Sequence, residues 1–114
     1  MTTVDRLRAT RDIQAVFDAR TRRAGRLLVV HARDRADGAE SRIAVVASRR
    51  VGGAVHRNRS KRLLREAARE MAWRDGFDVV LVARGPAAAA AAGEVTADLT
   101  EQATQLGLVQ DAAA

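Results

Sequence analysis

The sequence has no cysteine, so disulfides, thiolate metal centres and cysteine nucleophiles are excluded. Its histidines are His31 and His56, and its acids are scattered. Phosphodiester hydrolysis by a protein normally needs carboxylates clustered around metal ions, or well-placed histidines. Neither pattern is legible here, so an autonomous nuclease is the least supported reading. No stretch approaches the ~20 apolar residues of a membrane span. The first residues bring Arg6, Arg8 and Arg11 with no apolar core behind them, unlike a secretory signal. The expectation is a soluble, cytoplasmic protein. Aromatics are few: one tryptophan, two phenylalanines and no tyrosine. Acidic residues are missing altogether between Glu40 and Glu66.

That acid-free stretch carries Arg42, Arg49, Arg50, Arg57, Arg59, Lys61, Arg62 and Arg65. A run of cations without counter-charge repels itself, so it reads as a surface meant to meet a polyanion. Guanidinium groups dominate it; they are planar, multi-donor and suited to phosphate oxygens and stacked bases. The charge is unevenly placed along the chain. Residues 1–84 carry +10 and the remainder −4, giving the net +6. A binding surface therefore belongs in the first three quarters. At 114 residues with 47% apolar content, the chain reads as one domain over 1–114 with a small core.

Ile13, Val16 and Phe17 recur at helical spacing behind Thr10, predicting a short first helix to about Arg20. Thr21 to Gly25 is a basic connector with room for a brief strand. Leu27 to Ala32 and Ile43 to Ser48 read as strands, paired antiparallel across a loop at 33–41. Gly52 and Gly53 break the second strand and permit a tight backbone turn into a helix over 54–73. Ser60, Leu64, Ala67, Ala68 and Met71 form its apolar stripe, with Trp73 as a core anchor. At 100° per residue, Asn58, Arg62, Arg65 and Arg69 fall opposite that stripe, while Arg57 and Lys61 lie on a flank beside it. Phe77 to Ala83 is a further strand. Ala87 to Ala92 is helix-permissive or a linker. Val95, Leu99, Ala103 and Leu106 define a last amphipathic helix, and residues 107–114 read as a frayed tail. Together these elements predict an α+β sandwich of one small sheet with helices packed on it.

The run from Gly52 through His56-Arg57-Asn58-Arg59-Ser60-Lys61-Arg62-Leu63-Leu64-Arg65 to Glu66 resembles the Arg-Asn-Arg motif region of the bacterial ribonuclease P protein subunit. Arg42 to Arg50 resembles the strand leading into that motif, Asp78 to Pro86 the family's last strand, and Asp12 to Phe17 its first helix. The resemblance implies an α-β-β-β-α-β-α sandwich like the second domain of ribosomal protein S5, with a left-handed βαβ crossover. The general handedness rule gives the opposite hand, so the left hand rests on the resemblance alone.

It also implies an accessory subunit that joins a catalytic RNA, the holoenzyme removing the 5′ leader of precursor tRNA. Mg²⁺ would be held mainly by ribonuclease P RNA and the substrate, with no catalytic residue in the protein and no protein partner required. Arg57, Asn58, Arg59, Arg62 and Arg65 would contact RNA, with Lys61 and Arg69 on the same helix. Arg49 and Arg50 are expected on phosphate. The resemblance places the leader in a groove lined by Ile13, Phe17, His31, Arg57, Lys61 and Arg65. Of the family's aromatic groove lining only Phe17 is matched; Ile13 and His31 stand where rings are common. Arg22, Arg23 and Arg26 could widen the basic surface. Two alternatives stay open: a ribosomal or ribosome-assembly protein using the same helix on rRNA, and a peripheral membrane protein. The membrane reading is opposed by a narrow, alanine-rich stripe.

Overall fold

Phe77–Ala83 is the strand around which the structure is arranged. Its Val79, Val80 and Leu81 are wholly buried, and an apolar run without alternation needs cover on both faces and neighbours on both edges. The computed structural model describes residues 5–110. In it the elements run β1 (Asp5–Arg6), α1 (Thr10–Asp18), β2 (Thr21–Ala24), β3 (Leu28–Asp34), β4 (Arg42–Ala47), α2 (Ala54–Arg69), β5 (Phe77–Ala83) and α3 (Ala92–Gln105). Two 3₁₀ turns, Arg49–Val51 and Gly85–Ala89, precede α2 and α3. The expected α-β-β-β-α-β-α order is present, with the two-residue β1 added ahead of it.

The sheet order is β1-β4-β5-β3-β2. β4 and β5 run parallel, joined by the α2 crossover, whereas β3 lies antiparallel to β5 on its other edge. The expected antiparallel pairing of β3 with β4 is therefore wrong: β5 inserts between them. Part of the reason is electrostatic. Asp78, near the start of β5, is fully buried and stands in register with Arg33 of β3 and Arg42 of β4. A buried carboxylate is tolerated only with cations and donors at hand, and a central β5 lets Asp78 meet Arg42 of β4 on one side and Arg35, just past the end of β3, on the other.

Side chains alternate between the two faces with period two. One face sends Leu28, Val30, Val79 and Leu81 into the main core, against Leu64, Ala67, Leu99 and Ala103 of α2 and α3. The other face carries a smaller core of Leu7, Val16, Ala44 and Val80 beneath α1. α2 ends at Arg69, earlier than expected, yet Met71 and Trp73 remain buried. The Trp73 indole Nε1–H donates to the Ala68 carbonyl at 2.8 Å, which closes the end of the helix and confirms this ring as a core anchor.

The alanine-rich segment is not a loose linker, since Ala87 and Ala90 are buried in the main core. Nor are residues 107–110 frayed. Gly107 takes φ +73°, the left-handed value that favours glycine after a helix, and turns Leu108 and Val109 inward. Both are buried. Leu108 O accepts from Arg74 N–H at 2.8 Å, and Gln110 N–H donates to Ala72 O at 2.8 Å. The segment is held because Leu108 fills the core that α3 leaves open. The remainder of the expected tail, 111–114, lies outside the described residues.

Candidate nucleic-acid interface

Helix α2 begins abruptly. Gly52 has φ +134°, a conformation L side chains avoid, and Gly53 is the N-cap without any side-chain cap. No acid occupies the first turn, so the positive end of the helix dipole adds to Arg49, Arg50 and Arg57. Arg49 and Arg50 are exposed on the 3₁₀ turn just ahead. Burial of Ser60, Leu63, Leu64, Ala67 and Ala68 fixes the roll of the helix. Ser60 satisfies its hydroxyl by donating to the Arg57 carbonyl at 2.9 Å.

That roll sorts the cations into three groups. Asn58, Arg62 and Arg69 are exposed on the outer face. Arg57, Lys61 and Arg65, spaced four apart, are half-buried along one flank. Helical geometry alone groups Arg65 with Asn58, Arg62 and Arg69 opposite the stripe; in the structure it is half-buried, its long side chain lying back along the molecule. Arg59 is on the opposite flank and is engaged with the backbone. Its Nε–H donates to Ala88 O at 2.8 Å and a terminal nitrogen to Ala90 O at 3.3 Å. One arginine of the Arg-Asn-Arg run thus ties α2 to the alanine-rich segment.

On the α1 face the sheet is only partly covered. Ala44, Val80, His31 and Arg22 form one row in register across β4, β5, β3 and β2. Ala44 and Val80 are buried under α1. The neighbouring row is Val46, Val82, Val29 and Ala24, its valines half-buried and Ala24 exposed. These make an apolar floor beside α1. At the β4 end it opens into a cavity of about 410 Å³ to which Ile13, Ala44, Val46 and Arg65 contribute. Arg65 and Ile13 are thus brought together as expected.

Phe17 and His31 share the same face, but they do not line that cavity. Their rings meet edge-to-face at 4.8 Å and 79°. Burial, helped by the nearby Arg22 cation, pushes the His31 pKa below its usual value. The imidazole is therefore favoured as neutral, a ring on the groove floor and not a cation. Arg57 and Lys61 stand on the α2 flank away from the cavity lining.

Three residues missed in the sequence matter here. Arg6 and Arg8 line the cavity on either side of buried Leu7; the only sequence signal was an apolar residue between two arginines. Asp78 is the third, and an acid inside an apolar strand was its signal. Both its oxygens accept from Arg42, at 2.8 and 2.7 Å, and one also accepts from Arg35. Arg42 reaches Asp12 of α1 at 3.5 Å as well. Burial would raise the Asp78 pKa, but the hydrogen bonds and charges of Arg42 and Arg35 outweigh it and hold it below the usual carboxylate range.

Asp78 and Asp12 are thus occupied internally. Arg23 and Arg26 are likewise taken, by Gln102 and Glu94 of α3 at 2.9 Å each, leaving Arg22 on the groove face. Among the described residues no three His, Asp or Glu side chains gather as a metal site, and no helix is long and apolar enough to cross a membrane.

A cationic flank beside an apolar floor has the character of an RNA-binding surface, and comparison with known proteins agrees. The sequence profile of the family described as ribonuclease P matches residues 1–107. The ribonuclease P protein component of Exiguobacterium sibiricum is 36% identical over 96 residues, covering 82% of this chain and 83% of that protein. That of Dehalococcoides mccartyi is 46% identical over 55 residues, covering 48% of this chain; the match spans about half of that relative's length, 46%. The ribonuclease P protein from Thermotoga maritima superposes with a TM-score of 0.73 at 28% identity, over 85% of this chain and 93% of that one. With sequence profile, relatives and fold in accord, the chain belongs to the ribonuclease P protein component family.

Proposed function

We propose that this chain is the RNA-binding subunit of a cytoplasmic ribonuclease P ribonucleoprotein. It binds the catalytic RNA through the outer face of α2 and holds the single-stranded 5′ leader of precursor tRNA in the groove beside it. The observation that carries this reading is the division of α2. Arg62, Asn58 and Arg69 face outward, while Arg57, Lys61 and Arg65 are half-buried along one flank, from which Arg65 reaches the cavity beside the apolar floor of the α1 face. One helix thereby serves two RNA strands.

Each phosphate neutralised by these arginines releases condensed counterions, so affinity falls steeply with salt. Arg49, Arg50 and Arg62 lower the repulsion between RNA subunit and substrate, which reduces the Mg²⁺ needed to bring them together. Mg²⁺ bound by the RNA and the substrate supplies the activation of water for hydrolysis. On the α1 face Asp78 and Asp12 are engaged by arginines. The protein's part is to orient the leader and exclude competing conformations. Base stacking contributes ~1–3 kcal/mol per base where aromatic platforms exist. Here Phe17 meets His31 edge-on and the rest of the floor is valine and alanine, so leader binding depends mainly on charge.

The test is leader-length dependence. The holoenzyme reconstituted with a bacterial ribonuclease P RNA should bind precursor tRNA more tightly as the leader grows from one to ten nucleotides, and Arg57→Ala or Lys61→Ala should reduce that gain. Equal affinity at all leader lengths would remove the groove from the function.

A further inference from the structure

The N-terminal segment carries a feature that the groove on α1 and the sheet does not require. The β1–β4 ladder ends after two residues, Asp5 with Arg42 and Arg6 with Ile43. Leu7 N–H then donates to Ile43 O at 2.9 Å, and the Leu7 side chain is buried under α1. Among the described residues, the outer edge of β4 from Ala44 onward has no paired strand beside it. Val45, two residues beyond Ile43, turns its backbone N–H and C=O to that same open edge.

The gap so created is the cavity of about 410 Å³. Arg6 and Arg8 of the N-terminal segment and Arg65 of α2 line it together with the apolar Ile13 and Val46. No carboxylate lines it. Its size is within the range of small-molecule sites, roughly 300–1,000 Å³. Guanidinium groups from two elements lining one cleft with apolar walls and the open strand edge at Val45 suit a phosphodiester with one attached nucleoside.

We propose that Arg8 and Arg65, with the open edge of β4 at Val45, form a discrete subsite for one nucleotide of single-stranded RNA. Pinning by Leu7 gives the segment its purpose: it sets the distance between Arg8 and Arg65 and closes the groove at the β4 end. The subsite rests on the ribonuclease P reading above and extends it, assigning the N-terminal segment to the leader path and not to the RNA subunit. Lacking an aromatic platform, it recognises the phosphate and sugar and tolerates any base.

The experiment uses the full chain in holoenzyme with a bacterial ribonuclease P RNA, and precursor tRNAs bearing one- or ten-nucleotide leaders. In Arg8→Ala, the affinity advantage of the long leader is expected to shrink about fivefold, with the slope of log K against log salt falling by ~0.7 for that substrate. Arg8→Lys, which keeps the charge, should recover most of the advantage. Arg8→Ala and Arg65→Ala together should lose less than the product of the single losses, because both hold one phosphate. A multiplicative loss would overturn the shared site. A loss of affinity of the protein for the RNA subunit alone, with the leader advantage intact, would also overturn it and assign Arg8 to that RNA. If the wild-type holoenzyme shows no leader advantage, the groove reading itself falls, which is a different result from a variant that leaves an existing advantage unchanged.

Discussion

Replacing Asp78 by alanine should be the most damaging single change to this fold. Its carboxylate is fully buried, receives both Arg42 nitrogens and is shared with Arg35, whose side chain is only 10% exposed. Arg35 in turn holds the 35–41 loop, donating to Ala39 O at 3.2 Å, Glu40 O at 2.8 Å and Phe77 O at 3.0 Å. Removing one member of a buried pair leaves the partner's charge uncompensated, at a cost of about 3–5 kcal/mol. Against a typical total of about 5–15 kcal/mol, that is a large fraction.

For a chain of this length the melting temperature should fall by roughly 10–20 °C. Urea unfolding followed by circular dichroism at pH 7 gives the free energy directly. A loss below about 1 kcal/mol would mean the Asp78 network is not what fixes β5 between β3 and β4. The pH dependence supplies a second check. Asp78 has a depressed pKa in the folded state, so between that value and the unfolded one, ~3.9, the native state binds fewer protons. Its contribution is fully present above the unfolded value and is lost as pH falls through the folded one. Wild type should therefore lose stability steeply below about pH 4, and Asp78→Asn should lose less over the same range.

Arg59 and Arg62 should separate by assay. Arg62→Ala is expected to lower the salt slope of binding to ribonuclease P RNA by roughly 0.9, one phosphate contact. Arg59→Ala should instead cost about 1 kcal/mol of stability through its lost bonds to Ala88 and Ala90, with a smaller change of slope; a full unit of slope lost at Arg59 would contradict its structural engagement. Leu108→Ala should destabilise by about 2–5 kcal/mol in thermal unfolding, whereas a neutral result would show that 107–110 is dispensable to the core.

The long basic helix and its buried stripe were legible because small and apolar residues recur at helical spacing against a mainly cationic background. The strands were legible as runs, but their neighbours were not. Alternation says which face a residue takes and nothing of which strand lies beside it. The clue to β5's central place was its unbroken apolar run from Val79 to Val82, of which Val79, Val80 and Leu81 are wholly buried.

Arg59 could not be assigned from sequence, because its acceptors are main-chain carbonyls in an alanine tract that leaves no side-chain signature. The burial of Leu108 was hidden for a related reason. A single leucine after a glycine carries no period, and its place depends on the gap left between α2 and α3. Arg8 lines the cavity just after the β1–β4 pairing ends at Arg6, a placement that no sequence period announces.

The most direct test of the ribonuclease P assignment is cleavage of precursor tRNA by a bacterial ribonuclease P RNA at limiting Mg²⁺, with and without this protein. Protein-dependent removal of the 5′ leader, weakened by Arg62→Ala and by Arg65→Ala at unchanged protein stability, is the expected result. Tight binding to structured RNA without any stimulation of cleavage, across Mg²⁺ and salt concentrations, would contradict it and favour an rRNA-binding role.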